Sequence, residues 1–569
     1  MTRLHIFAPL ALLVLSAFVT SAGAQWAAGS GDAVCTADSN QYNAAACLDG
    51  TGGVIITWQD FRNGQADPTL PNSSDIYAQR LNAAGVPQWT TNGVAVCAHS
   101  YGQREPSIVS DGAGGAIIAW TDHRGGNVDI YAQRINTSGQ SQWTADGVPV
   151  DVSFLIDFQA RIVSDGAGGA IVVWNGYGAP QPLIYAQRID ASGATQWPPL
   201  TVMIATDAAS VISDGAGGAI VTSARWFSPM RDIYAQRVNH GGVQLWTSFA
   251  PICDDPADQS EPVLASDGDG GAIIAWTDGR TTPSRIFAQH VSDAGTFEWT
   301  LNGISVGGPG GSANILADNA GGAIVAWEDV RAGTNDHNIF AQRVNGSGSI
   351  LWSPGGNLLC SAPANQFNPH AVPDGAGGAI VTWKDFRTGS DFDIYAQRVN
   401  GDGHVKWTPN GVGLATASGD QYNDATLADG DLGVFVAFVN DSGGDQDRLT
   451  GNTDDIYAQR VNTDGGLPTA VRAPTSAPAL TLSRNHPNPF SNRTALELAL
   501  PRASTVSVDI FDVAGRRVRK IEMGDEKTGV MELIFDGRDG HEHDLPSGVY
   551  FFRVHAGGET VTRKIVIAH

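Results

Sequence analysis

From Trp26 to Asn462 the chain alternates short apolar runs with turns made of Gly, Asp, Asn and Ser. One stretch shows the pattern: GVAVC (93–97), PSIVS (106–110), AIIAWTD (116–122) and DIYAQRIN (129–136), with Asp111 to Gly115 as a tight turn between the second and third runs. Each run is five to eight residues long, rich in Val, Ile, Tyr or Trp, and has no helical period, so it reads as a β-strand. The glycines of the turn supply the positive φ that a hairpin needs.

The same unit recurs eight times. Its turn begins at Asp49, Asp111, Asp165, Asp214, Asp267, Asp318, Asp374 and Asp429, at intervals of 49 to 62 residues. An [ILV]-[YF]-A-Q-R phrase follows each turn, from Ile76–Arg80 to Ile456–Arg460, with His290 in place of the arginine in the fifth copy. Tryptophan opens every unit (Trp26, Trp89, Trp143, Trp197, Trp246, Trp299, Trp352, Trp407). A second ends the third strand in six copies (Trp58, Trp120, Trp174, Trp276, Trp327, Trp383); Ser223 stands there in the fourth copy and Phe438 in the eighth. Four strands at this period predict the blades of a β-propeller, with the rings filling the space between sheets. The chain starts with an orphan Trp-led strand and ends with an IYAQR strand that lacks its tryptophan partner. The count balances if residues 26–35 complete the blade of residues 424–462, closing a ring of eight and removing an exposed edge.

The two ends differ from this repeat. Residues 1–24 carry Arg3, an apolar run and Ala22-Gly23-Ala24, the pattern of a cleavable signal peptide. The expected order is signal peptide 1–24, propeller 25–462, a Pro/Ala/Thr-rich linker 463–480 and a small β-sandwich 481–569 of about seven strands. Charge marks the same division: residues 473–569 hold 12 basic and 12 acidic residues, so the net −24 lies wholly upstream. Such an acidic region repels phosphate backbones, which argues against nucleic acid as a partner. No later run is long enough for a transmembrane helix, and a monomer is expected.

The C-terminal segment carries Pro487-Asn488-Pro489-Phe490, the strand Val506 to Phe511 followed by Asp512 to Gly515-Arg516, Asp536-Gly537-Arg538-Asp539, Ser547-Gly548-Val549-Tyr550 and a terminal Lys564-Ile565-Val566. In these features it resembles the type A sorting domain of type IX secretion cargo and the related FlgD-type Ig-like domain. That resemblance implies an Ig-like fold, contact with a secretion machinery, and delivery to the medium or the cell surface. The upstream repeats resemble bacterial secreted propeller repeats, which have no fixed activity.

Candidate chemistry is sparse. W-x-D-x-R follows the third strand as Asp60/Arg62, Asp122/Arg124, Asp278/Arg280, Asp329/Arg331 and Asp385/Arg387. Spacing i,i+2 puts both side chains on one face of an extended segment. A ring of such pairs could hold a polar ligand such as a glycan, but near-identical copies favour ion pairs that stitch strand ends. These pairs are expected at partly exposed blade ends. The glycine turns are flanked by strands, with no helix and no Gly-Lys-Ser/Thr, so they are not phosphate loops. Asp267 with Asp269, and Asp445, Asp447, Asp454 and Asp455, lack EF-hand and RTX spacing. No metal site, no cofactor and no catalytic set is read; there is no HExxH and no nucleophile elbow. The irregular fourth copy, Ser223 to Trp226, is where a site that breaks the symmetry would be sought. Cys35, Cys97, Cys253 and Cys360 occupy equivalent places and read as small buried hydrophobes. Cys35 and Cys47, on consecutive strands of an exported chain, are a candidate disulfide. The expectation is a non-catalytic propeller for contact with an extracellular protein or glycan. A polysaccharide-acting enzyme and a structural surface-layer component are the alternatives.

Overall fold

The repeats fold into eight antiparallel blades. The computed structural model describes residue 26 and residues 31–568 except 64–73, 125, 154, 178–181, 199–200, 205–208, 228–229, 247–250, 334–335, 431–432, 442–453, 467–480, 483–489, 491–492, 501–503, 514–515, 527–528, 541–542 and 557–558. The expected signal peptide, most of the expected linker, Pro487 to Pro489, Gly515 and the aspartates at 445 and 447 lie outside the described residues.

Blade 1 consists of Gln41–Leu48, Val54–Asp60, Asp75–Leu81 and Val94–Cys97, paired in that order. The Trp-led strand thus pairs with the IYAQR strand before it and is the fourth strand of its blade. The repeat as written in sequence is offset from the blade by one strand. That offset closes the ring. Asp32–Cys35 pairs with Asp454–Val461 and completes blade 8, as the strand count predicts. First strands of neighbouring blades lie side by side, and Gln41–Leu48 meets Asp420–Ala428 across the closure. Blades 5 and 6 are joined by one long strand, Ile304–Ala317, which is the last strand of one and the first of the other.

The repeated phrases are clamps between and within blades. Asp111 Oδ1 accepts the N–H groups of Ala113 and Gly115 at 2.8 Å, and Oδ2 accepts Arg134 Nε at 3.0 Å. A Cβ on Gly115 would lie 2.1 Å from the Ile135 carbonyl oxygen, so only glycine fits. Gln133 donates to Thr144 O at 2.8 Å and accepts the Trp143 N–H at 3.0 Å. Arg134 and the Trp143 indole both donate to Ala191 O in the following blade, at 3.2 and 3.1 Å. Strands such as Ala116–Asp122 are buried along their whole length, which is why they read as continuous apolar runs rather than alternating ones.

Residues 472–569 form a separate compact unit. Among the described residues, seven strands make sheets of three and four. Val506, Val508 and Ile510 alternate into its core. Phe490 is buried there, and its N–H and C=O bond to Val566 O and Ala568 N at 3.0 and 2.8 Å. Its ring stands edge-on to Phe535, which in turn meets Phe552 edge-on.

Candidate functional site

The W-x-D-x-R aspartates are not at exposed blade ends. Asp122 is 0% exposed. It accepts the Trp120 indole N–H at 2.7 Å, the Arg124 backbone N–H and Nε at 2.9 Å, and Arg124 Nη2 at 2.6 Å. Arg124 Nη2 also donates to Asp146 O at 2.7 Å and lies 3.2 Å from Cys97 Sγ, while the guanidinium covers the Tyr131 ring at 3.8 Å. The same arrangement holds Asp60 and Arg62 against Cys35, Asp278 and Arg280 against Cys253, and Asp385 and Arg387 against Cys360. Asp329 pairs with Arg331 without a cysteine. The cysteine always comes from the preceding blade, so each set staples two blades and uses up the aspartate's oxygens inside the protein. Burial pushes these four thiols up to about 12.

Cys35 and Cys47 are both free, contrary to the candidate disulfide. Cys35 faces Asp60 and Arg62, whereas Cys47 packs into the next interface with Val96, Cys97 and Trp120. Two consecutive strands that serve different interblade cores point their thiols apart.

With the shared residues assigned to the scaffold, the departures from the repeat stand out. In blade 4, Ser223 bonds Ala224 O at 3.0 Å and Trp226 is half exposed. In blade 3, Gly176 replaces the aspartate after Trp174 and Asp157 replaces the buried glutamine found at Gln41, Gln103, Gln259, Gln366 and Gln421, while Asp151, at the end of the last strand of blade 2, replaces the cysteine. Asp157 is 0% exposed. Burial first, and then the charge of Asp151, push its carboxyl up to about 8.

A further departure opens a cleft between blades 5 and 6. Elsewhere six positions separate the fourth-strand cysteine from the next glutamine, as from Cys97 to Gln103; here three separate Gly307 from Gly310, which pairs with Asp329. The short glycine-rich connection GGPGGS (307–312) leaves a cleft of about 380 Å³. Glu261 and Thr277 line it from blade 5, and Ser312, Glu328 and His337 from blade 6. Glu261 is exposed and sits at φ 54°, at a register shift in its strand. Its Oε2 accepts the Ser312 N–H at 3.1 Å and the Thr277 hydroxyl at 3.3 Å. Glu328 Oε1 accepts the Asn368 N–H at 2.8 Å, and Oε2 lies 3.1 Å from His337 Nδ1. A carboxylate only accepts, so Nδ1 carries the ring proton there. In blade 1 the equivalent pair is neutral, Gln59 Nε2 donating to Ser74 Oγ at 3.1 Å.

Half-buried rings continue this surface across blade 7. His337 lies 5.0 Å from Phe367, Phe367 6.2 Å from Phe392, and Phe392 4.9 Å from Phe386. Lys384 Nζ sits 4.4 Å over both Phe392 and Tyr422. Burial lowers the Lys384 pKa, opposed by the charges of Asp420, Asp424 and Glu328. Sequence reasoning missed all of these residues. The available signal was the glycine run with its missing cysteine and glutamine, and the charged residues Glu328 and Lys384 inside W-x-D. Among the described residues no group of three or more His, Cys, Asp or Glu side chains is placed to hold a metal ion.

Residues 490–559 match the FlgD Ig-like domain family. The solved FlgD from P. aeruginosa is 27% identical, with 13% of this chain and 58% of that chain covered and a TM-score of 0.12. This chain therefore spans only about 58% of that relative. PorZ of Porphyromonas gingivalis, described as an essential bacterial surface component of the type-IX secretion system, is 12% identical over 92% of this chain and 81% of its own, with a TM-score of 0.22. The polysaccharide lyase Uly1 is 9% identical over 79% of this chain and 94% of its own, with a TM-score of 0.37. No curated protein matches the chain.

Proposed function

We propose that this is an exported, non-catalytic propeller that holds a glycan on the surface running from the blade 5/6 cleft onto the rings of blade 7. The observation that carries this reading is the coincidence of two departures from the repeat at one place: a shortened connection that opens a cleft, and a Glu–His pair where blade 1 has a neutral one. Hydroxyl, carboxylate and imidazole groups beside half-buried aromatic rings are the mix that recognises a sugar, whose ring offers both apolar faces and hydroxyls. The W-x-D-x-R residues are scaffold in this reading. Screening the mature chain against a glycan array, with Phe367→Ala and His337→Ala as controls, tests it. Binding that both substitutions leave unchanged would remove the site from this surface.

A polysaccharide-acting enzyme is the second reading, favoured by Glu328 and His337 sharing a cleft with Glu261. Release of new reducing ends from a bound polymer, abolished by His337→Ala, would establish it.

The C-terminal domain is proposed to direct delivery. Its FlgD-like match and the signal-peptide pattern at residues 1–24 support export, and no helix among the described residues is long and apolar enough to cross a membrane. A fusion of residues 472–569 to a periplasmic reporter should reach the surface or medium of a host with type IX secretion. Retention of the fusion while the full chain is exported would place the address elsewhere.

A further inference from the structure

The charge of the cleft narrows the ligand. Glu261 and Glu328 bring two carboxylates from two blades to one opening, and no lysine or arginine lines it. Glu328 is 7% exposed and is engaged by the Asn368 N–H and His337, with Lys384 near enough to feel its charge. Glu261 differs: it is exposed, its two bonds both go to Oε2, and no ion pair reaches it among the described residues. Its carboxylate is therefore fixed in place by a backbone N–H and a hydroxyl, with Oε1 left for a donor from outside. The rest of the lining used here is neutral and hydroxyl-bearing, namely Thr277, Ser284 and Ser312. Around this stands a propeller region that carries the whole net charge of −24, which attracts cations and repels polyanions.

Resting on the glycan reading above, we infer that the cleft takes a sugar bearing a free amine, with its ammonium on Glu261 and its hydroxyls on the Thr277, Ser284 and Ser312 side. A volume of about 380 Å³ is of the size of a small-molecule site and admits one pyranose ring with its substituent. A uronate-rich polymer is the wrong charge for this lining, and an N-acetylated sugar leaves Glu261 facing an amide instead of a cation.

Calorimetric titration of the mature full-length chain with matched glucosamine and N-acetylglucosamine oligomers, in low salt, tests this. The amine form should bind tighter by up to about fivefold, the ratio that one exposed ion pair supplies. Glu261→Gln should bring the ratio close to one, and added salt should narrow it in the native chain. Equal binding of the two oligomers to the native chain overturns the inference but leaves the glycan reading standing. Binding of neither oligomer, together with a blank glycan array, overturns both. Tighter binding of an oligolysine peptide than of the amine oligomer would assign the cleft to a protein ligand and overturn the inference. Because Glu261 is an exposed side chain, Glu261→Gln should fold; a melting curve superimposable on that of the native chain checks it, and Ser284→Ala gives a second probe of the same cleft.

Discussion

Replacing Asp157 by Asn should remove a pH dependence of stability that the propeller owes to blade 3. Asp157 is fully buried and its carboxyl is raised from 3.8 to about 8, by burial first and then by Asp151. The charge of Asp129 acts on it in the same direction, and Asp151 is itself raised by burial. Tyr185 faces the same pair and has its own pKa raised, by burial and then by these two charges. The sign follows from proton counting. Between the ordinary carboxylate range and about 8, the folded protein holds a proton that the unfolded chain has released. Stability from this group is therefore complete at acid pH and is lost as the pH rises towards about 8, at about 1.4 kcal/mol per pH unit for one proton. From about pH 6 to about pH 8 the native protein should lose about 2 kcal/mol from this source, since the proton is already half gone at the upper end. Asn keeps the shape and does not titrate, so Asp157→Asn should lack that slope and be more stable at the upper end. Urea unfolding followed by tryptophan fluorescence isolates the effect, because all fifteen tryptophans lie between Trp26 and Trp407 and none is in the C-terminal domain. Titrating groups remote from this pair are common to both proteins and cancel in the difference, whereas Asp151, itself shifted by its bond to Asp157, does not. Parallel stability-against-pH curves for the two proteins would refute the reasoning, since they would mean that Asp157 carries no extra proton in the fold.

Other substitutions follow from the packing. Asp122→Ala leaves the Arg124 guanidinium and the Trp120 indole without their acceptor between two blades and should cost about 3–5 kcal/mol in urea unfolding, far above the fraction of a kcal/mol of an exposed pair; a loss below 1 kcal/mol would show that the staple is dispensable. Deleting residues 25–36 removes the strand that completes blade 8 and should lower the melting temperature of the whole propeller, with an unchanged melt as the contrary result. Phe490→Ala empties the position between the Val566 strand and Phe535 and should destabilise the C-terminal domain by about 3–5 kcal/mol, read as loss of amide-exchange protection in residues 494–567 with the propeller unaffected.

The fold was legible because the signature residues are repeated and most copies do the same work. Trp120, Asp122 and Arg124 recur since each blade must be fastened to the one before it, and Asp111, Gln133 and Arg134 recur since each hairpin must be fastened within its blade and to the next. Ring closure could be counted from an orphan strand at one end and a missing tryptophan at the other. The W-x-D-x-R pairs were found, and their arginines are partly exposed as expected, but the aspartates are buried, because spacing along a strand shows which side chains share a face and not whether another blade covers that face. The Cys35–Cys47 pairing failed for the same reason: adjacency in sequence hid that the two strands serve different cores. The cleft was not legible. Nothing in GGPGGS, read alone, says that a connection three residues shorter opens a space, or that Glu261, fifty positions upstream, lines it.

A repeat protein supplies its own controls: Asp157 departs from the glutamine of the other blades, whereas Glu261 stands where blade 2 has Glu105 and is set apart by the cleft it faces. A residue shared by five or more blades is bound to a task that all blades have, which is holding the ring together. Asp157 and Glu261 are both acidic residues on first strands, but Asp157 is sealed from solvent inside blade 3 whereas Glu261 is exposed in the cleft. A buried acidic residue can act only on the folded state's energy, because no ligand reaches it; an exposed one held by a backbone N–H can act on a ligand at little cost to the fold. The two should therefore dissociate. Asp157→Asn should shift stability with pH and leave the affinity for the amine oligomer unchanged, and Glu261→Gln should lower that affinity by up to about fivefold and leave the stability curve in place. If Glu261→Gln instead destabilises the propeller and binding is unaltered, its contacts to Ser312 and Thr277 are one more seam between blades 5 and 6. The cleft would then be a by-product of a shortened loop and not a site.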